Sequence, residues 1–316
     1  MKSQYVNTLQ EGDAVNDYFV VARKDLRPTQ RGSTFLGMVF KDRTGDIGGV
    51  LWKNADSVAR LFELGDVVNV RGKVQTYQGN LQVQVQEVCT LKTGEYDRTD
   101  LVFTPESAKQ DIAKLRTVLD GAENTWLKQL NTAFLDDPVF LAEFENAAAA
   151  KRWHHAYSGG LVRHCVEMMR IAETVAELFP ELDRDLLMTA IFLHDVGKLT
   201  EMTQSLFIDY TTPGKLIGHI QIGVDMVHER IRQIPGFPEP LRLQLIHCIL
   251  SHHGEYANGA PVLPKTIEAI MLHHIDNLDA QASAFNRIIA EARERGQTWS
   301  DYMPLIQRVV YTKDDL

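Results

Sequence analysis

The sequence predicts two domains, an all-β barrel followed by an all-α helical bundle, and three observations carry that expectation. The length of 316 residues exceeds the roughly 100 to 200 residues of one ordinary domain. The hydrophobic period is two up to Thr90 and becomes helical from about Glu106 onward. Charge divides at nearly the same place: residues 1–92 hold 12 Lys+Arg against 10 Asp+Glu, a balance of +2, which leaves 21 against 32, or -11, for the remainder of a chain whose net charge is -9.

The first part contains five β-type runs, at residues 18–24, 34–42, 46–52, 67–76 and 81–90. Short loops containing Gly45 and Gly79 join the second run to the third and the fourth to the fifth, as hairpins. Leu81, Val83 and Val85 alternate with Gln82, Gln84 and Gln86, giving one buried and one wet face. Between the third and fourth runs, residues 54–64 read as a short helix begun by Asn54 and stopped by Gly65. Five strands with a helix after the third is the layout of an OB-fold barrel. Residues 1–95 form this expected domain, and residues 96–153 supply a linker and connecting helices over 111–135 and 138–150. The third region, 154–316, holds helices at 160–179, 185–196, 216–233, 240–252 and 265–295.

Hydrophobic residues make up 44% and charged residues 24%, as in a soluble globular chain, and no apolar run approaches the roughly 18 residues of a membrane span. The N-terminus lacks an apolar leader, so the cytoplasm is the expected location and no membrane partner is expected. Cys89, Cys165 and Cys248 are scattered inside apolar patterns, which suits reduced core residues rather than disulfides or zinc-thiolate chemistry.

The helical part carries the chemistry. His164 lies on the apolar face Leu161, Cys165, Met168, Ala172. One such histidine is more often a hydrogen-bonded core residue than a ligand. The run from Ala190 to Lys198 changes the balance, because it ends an apolar turn with His194 and Asp195. A buried carboxylate without a cation costs several kcal/mol. Lys198 alone could neutralise Asp195, but that leaves His194, His219, His252, His253 and Asp276, each in apolar helical surroundings, without a role. Shared divalent cations answer for all of them, in a bundle that builds its site from facing helices. One ion takes His164, His194, Asp195 and Asp276, the other takes His219, His252 and His253, and Asp195 bridges. Nitrogen and oxygen donors without thiolate suit Mn, Fe, Co, Ni or Zn. Two such ions support hydrolysis of a phosphodiester by a metal-activated hydroxide, with Asp195 and Lys198 as the catalytic pair and Lys198 supplying charge to a phosphate oxygen.

The order His164, His194-Asp195, His219, His252-His253, Asp276 resembles the HD superfamily of metal phosphohydrolases. The wider text, from His154-His155-Ala156-Tyr157-Ser158-Gly159-Gly160 through Ser251-His252-His253-Gly254-Glu255 to Ile275-Asp276-Asn277-Leu278-Asp279-Ala280, is similar to YhaM-type 3′-to-5′ exoribonucleases. That resemblance implies an N-terminal OB-fold before an HD domain, one or two divalent ions with manganese favoured, and trimming of single-stranded RNA, or DNA, from the 3′ end. It also implies that His155 and Tyr157 lie near the substrate, and it raises self-association into a homo-oligomer.

An exonuclease has to hold a strand without reading it, and OB faces do so with aromatic platforms and basic side chains. Phe35, Trp52 and Tyr77, with Phe40, are the candidate stackers, and Lys41, Arg43, Arg71 and Lys73 the basic contacts. Aromatics in barrel strands are more often core, and a balance of +2 is modest for nucleic acid. Three other readings stand beside the exonuclease. They are an HD phosphohydrolase acting on a small nucleotide or cyclic dinucleotide, a di-iron HD oxygenase, and a single-strand binder with a relic site.

Overall fold

The computed structural model describes residues 2–28, 32–102, 108–151, 155–203, 206, 208–304 and 306–312. The chain divides into two compact units, one of Met1–Thr104 with Thr203–Asp209, the other of Pro105–Met202 with Tyr210–Leu316. The expected start of the third region, at His154, lies outside the described residues.

The first unit is a closed barrel of strands β1 Ala14–Pro28, β2 Thr34–Asp42, β3 Gly45–Leu51, β4 Val67–Tyr77 and β5 Asn80–Thr90, in the spatial order β1-β2-β3-β5-β4. All neighbours are antiparallel except β3 and β5, whose parallel register runs from Gly48 opposite Gln82 to Val50 opposite Gln84. β1 is twice the expected length because it serves two partners. Its first half pairs with β4, its second half with β2, and the irregularity between Val21 and Arg23 turns it from one to the other. Asn16, Asp17 and Asp25 interrupt the apolar alternation, which hides the extra length from a period-two reading.

Phe19, Leu36, Phe40, Val68, Val70, Val83 and Val85 fill the barrel. Phe40, taken as a candidate stacker, is fully buried there, and Gly49 leaves the space that its ring occupies. Leu81, expected in the core, is exposed, as is Cys89. The helix expected over 54–64 is a single turn, α1 Ala55–Val58. Asn54 adopts a left-handed backbone (φ 55°) without capping the helix, and Lys24 Nζ donates to the carbonyls of Ala59 and Phe62, drawing the following residues toward β1.

The second unit is helical: α2 Ala108–Asp120, α3 Thr125–Leu135, α4 Pro138–Asn146, α5 Gly160–Leu178, α6 Arg184–Leu193, α7 Lys198–Glu201, α8 Thr212–Ile217, α9 His219–Arg232, α10 Glu239–Ser251 and α11 Ile267–Glu294. The stretch 111–135 is broken after Asp120. Asn124 restarts it, its side chain accepting from the backbone N–H groups of Trp126 and Leu127. The stretch 216–233 breaks at Gly218, whose backbone (φ 81°, ψ 153°) no helix contains. Phe134, Phe140, Phe144 and Phe192 pack edge-on or stacked at the centre of the unit, with Leu161, Cys165 and Met168 of α5 against them. Among the described residues, no helix is long and apolar enough to cross a membrane.

Candidate metal centre

Helices α5, α6, α9, α10 and α11 each bring polar groups to one place. His164 comes from the second turn of α5, and His194 and Asp195 from the end of α6. His219 is the first residue of α9, His252 and His253 follow α10, and Asp276 lies in the middle of α11. The imidazole rings form a continuous chain, with centroids 5.4 Å apart for His164 and His194, 5.0 Å for His194 and His252, 5.7 Å for His219 and His252, and 4.4 Å for His252 and His253.

Five histidines share one feature. Each has its Nδ1 tied to an oxygen: His164 to Asp279 Oδ2 at 2.7 Å, His194 to the Ile191 carbonyl at 2.8 Å, His219 to Glu201 Oε1 at 2.9 Å, His252 to the Ile249 carbonyl at 2.7 Å, and His253 to the Asn258 carbonyl at 2.9 Å. Carbonyls and carboxylates only accept, so Nδ1 carries the proton in every case. In His194, His219, His252 and His253 the Nε2 lone pair is thereby left for another partner, and this is how metal-ligating imidazoles are oriented by their outer neighbours; His164 Nε2 faces Asp276 Oδ1 at 3.2 Å. His194 Nε2, His219 Nε2 and Asp195 Oδ1 are buried without a hydrogen bond among the described residues. Leaving three such groups unsatisfied is costly, and a shared cation removes the cost.

Donor atoms of His164, His194 and Asp276 lie within 4.8 Å of one another, as do those of His219, His252 and His253, and those of His194, Asp195 and His252. Asp195 sits between the first two groups. Its Oδ2 is 3.2 Å from His194 Nε2, while its Oδ1 is 3.4 Å from His219 Nε2 and 3.8 Å from His252 Nε2. The site therefore fits one or two divalent ions. His164, His194, Asp195 and Asp276 would hold one, and Asp195, His219, His252 and His253 the other.

The electrostatics follow from burial and pairing. Burial works against ionised Asp195, but the Lys198 ammonium and the His194 imidazole outweigh it and hold the carboxyl well below its usual range. Burial lowers His252 and His253, so both are neutral donors near pH 7. His164 differs: burial alone would lower it, but hydrogen bonds to Asp276 and Asp279 win and raise it to about 9.

Two carboxylates in this array escaped the sequence reading. Asp279, one helical turn after Asp276 on α11, accepts from both His164 Nδ1 and His155 Nε2. Glu201 accepts from the ring and the backbone N–H of His219. The i, i+3 spacing of Asp276 and Asp279 was a usable signal, because it places both on one face of α11. Nothing local marked Glu201, since the break at Gly218 decides where His219 points. Gly197 matters equally: a Cβ there would lie 2.0 Å from the His219 carbonyl, so only glycine lets the turn before α7 seat against α9.

His155, expected beside the substrate, is buried with its ring engaged by Tyr157 OH and Asp279, beneath His164. Tyr157 is half-buried, and burial with the nearby Glu167 pushes its phenol up to about 12. Lys198 Nζ lies 2.5 Å from Asp195 Oδ2 and lines the cavity over the centre.

In the barrel unit, the rings of Phe35 and Trp52 lie 4.9 Å apart, with Trp52 52% exposed. Tyr77 is exposed at the β4–β5 turn, and Lys41, Arg43, Arg71 and Lys73 are all on the surface. Arg43 lies over the Tyr5 ring and Arg71 pairs with Glu87.

Comparison with known proteins agrees with this division. Residues 161–281 match the family model described as HD domain. The helical unit contains an HD domain. Such domains bind divalent metals and act as phosphohydrolases, which accords with the HD-domain histidines and aspartates brought together here. Residues 20–91 match the model described as OB-fold nucleic acid binding domain. The barrel is similar to the second OB-fold domain of replication protein A from Methanococcus maripaludis, at 20% identity and a TM-score of 0.24, over 30% of this chain and all of that one. An aspartyl tRNA synthetase from Entamoeba histolytica is similar at 12% identity and a TM-score of 0.25, over 56% of this chain and 38% of that one. The fold assignment rests on strand order and the family models, not on these two likenesses.

Proposed function

We propose that this protein is a metal-dependent 3′-to-5′ exonuclease that hydrolyses phosphodiester bonds of single-stranded RNA, or of DNA, with manganese as the preferred ion. The observation that carries the reading is the set of five imidazoles with Nδ1 anchored and Nε2 directed at two groups of donors that share Asp195. Two divalent ions bound there supply Lewis acidity to the attacking and leaving oxygens of a phosphoryl displacement.

The chain's own residues do the rest. Asp279 and Glu201 fix the orientation of His164 and His219. Lys198 offers its ammonium to a non-bridging phosphate oxygen at the moment negative charge grows there. Exposed Trp52 and half-buried Phe35, a ring pair on the barrel, support stacked bases, with Lys41, Arg43, Arg71 and Lys73 beside the backbone.

One observation favours a second reading, an HD phosphohydrolase acting on a small nucleotide or cyclic dinucleotide. The cavity over the metal centre, about 720 Å³, falls in the range of small-molecule sites. Incubation with Mn and 5′-labelled single-stranded RNA beside a nucleotide panel separates the two. A ladder retreating from the 3′ end supports the exonuclease, and turnover of small nucleotides alone overturns it.

A further inference from the structure

We infer that the C-terminal hairpin, bridged at Trp299 with Tyr311 and at Met303 with Arg308, guides the single strand into the metal centre; the inference rests on the exonuclease reading. The hairpin lies beyond the segment that matches the HD domain. Ser300 N–H donates to the Val310 carbonyl and Met303 N–H to that of Arg308, and Ser300, Val310 and Thr312 are buried, so one side of the hairpin is seated. Trp299 and Tyr311, which sit together, are 56% and 51% exposed, and Tyr302 nearer the tip is 59% exposed.

Two placements on this hairpin point to a nucleic acid. At its base, the Trp299 and Tyr311 rings are 5.1 Å apart and each residue is about half exposed, an aromatic surface open to solvent. At its tip, Gln307 takes a left-handed backbone (φ 52°), and Ile306, Gln307 and Arg308 line the cavity that also contains Asp195, Lys198 and Asp276. Arg308 Nε donates to the Ile306 carbonyl, and Arg308 pairs with no carboxylate among the described residues. Arg308 and Tyr311 are three residues apart, at most about 10 Å along an extended chain. Aromatic faces that accept any base, followed by a guanidinium opening onto a centre of phosphodiester chemistry, match a strand entering end first. They hold bases by stacking and phosphates by charge, without reading sequence. A small nucleotide bound at the centre would leave Trp299 and Tyr311 without a task.

The test compares wild type with Trp299→Ala/Tyr311→Ala, its ring-preserving counterpart Trp299→Phe/Tyr311→Phe, Arg308→Ala and Arg308→Lys, all in the full chain. Anisotropy of a fluorescein-labelled ten-nucleotide RNA reads binding without turnover, and steady-state kinetics with Mn read KM and kcat on that RNA and on thymidine 5′-p-nitrophenyl phosphate. The double alanine variant is expected to weaken RNA binding about tenfold, with the phenylalanine pair recovering most of it. Its KM should rise at least five times more for the RNA than for the small diester. Arg308→Ala is expected to raise KM for RNA about tenfold and flatten the salt dependence of binding, with Arg308→Lys intermediate. RNA binding unchanged in the double alanine variant would overturn the proposal, and so would equal losses on both substrates. Wild type that binds RNA but cleaves neither substrate would refute the exonuclease reading while the binding data still decide the role of the hairpin.

Discussion

Lys198 Nζ lies 2.5 Å from Asp195 Oδ2, while Asp195 Oδ1 faces His219 and His252 without a hydrogen bond among the described residues. One oxygen is neutralised by the chain itself and the other is aimed at two imidazoles. The two residues therefore have separable duties. Asp195→Ala is expected to abolish turnover and to lower bound metal, with single-strand affinity within about threefold of wild type. Lys198→Ala should keep its metal and lose about 10²- to 10³-fold in kcat, the scale of one preorganised charge. Plasma emission spectroscopy beside kinetics decides it; loss of metal in both variants would make Lys198 only an ion-pair partner.

Metal and proton compete at His164. Its folded-state value of about 9 lies above the ordinary 6.5, so near pH 7 the metal-free ring holds a proton that a bound ion has to displace. Metal affinity is therefore expected to climb about tenfold per pH unit between pH 7 and 9 and to level off above. Calorimetry at pH 7 in buffers of different ionisation enthalpy should show about one proton released for the ion nearest His164. Affinity flat across that window would mean that His164 is neutral or not a ligand.

Asp279 acts through His164. Asp279→Asn keeps the shape but weakens the hold on Nδ1, and is expected to reduce metal affinity 10- to 100-fold, the usual cost of losing an outer-shell partner. Glu201→Gln should do the same through His219. Titration with Mn followed by electron paramagnetic resonance reads both, and unaltered affinity in both variants would leave the anchored-Nδ1 argument without support.

The barrel should bind without cutting. Trp52→Ala is expected to weaken binding of a long single strand by about 1 to 3 kcal/mol, as for loss of one stacked base, while hydrolysis of a small model diester stays at the wild-type rate. Anisotropy with a labelled oligonucleotide checks the first and a chromogenic assay the second. Equal binding in variant and wild type would remove Phe35 and Trp52 from the interface.

The sequence and the structure part company in ways that have physical causes. Alternation of apolar and polar residues located β2 to β5 within a residue or two, because one face of each is buried. It missed the ends of β1, where Asn16, Asp17 and Asp25 sit in a strand held by two partners. Helical periodicity found α5, α10 and α11 but ran through Gly121 and Gly218, since a single glycine is compatible with either a helix or a break. His164, His194, Asp195, His219, His252, His253 and Asp276 were legible because a histidine or aspartate inside an apolar run demands a partner. Glu201 was not, because its partner comes from a helix whose start depends on the break at Gly218. Surface residues such as Trp299 and Arg308 carry no such demand, and only the fold brings Arg308 to the cavity over the centre and pairs Trp299 with Tyr311.

An anomalous-scattering map from a Mn-soaked crystal, recorded on both sides of the Mn edge, bears most directly on the shared-ion centre. Two peaks about 3.5 to 4 Å apart are expected, one against His164, His194 and Asp276, the other against His219, His252 and His253, with Asp195 touching both. No peak among these side chains, with Asp195 held by Lys198 alone, would contradict it.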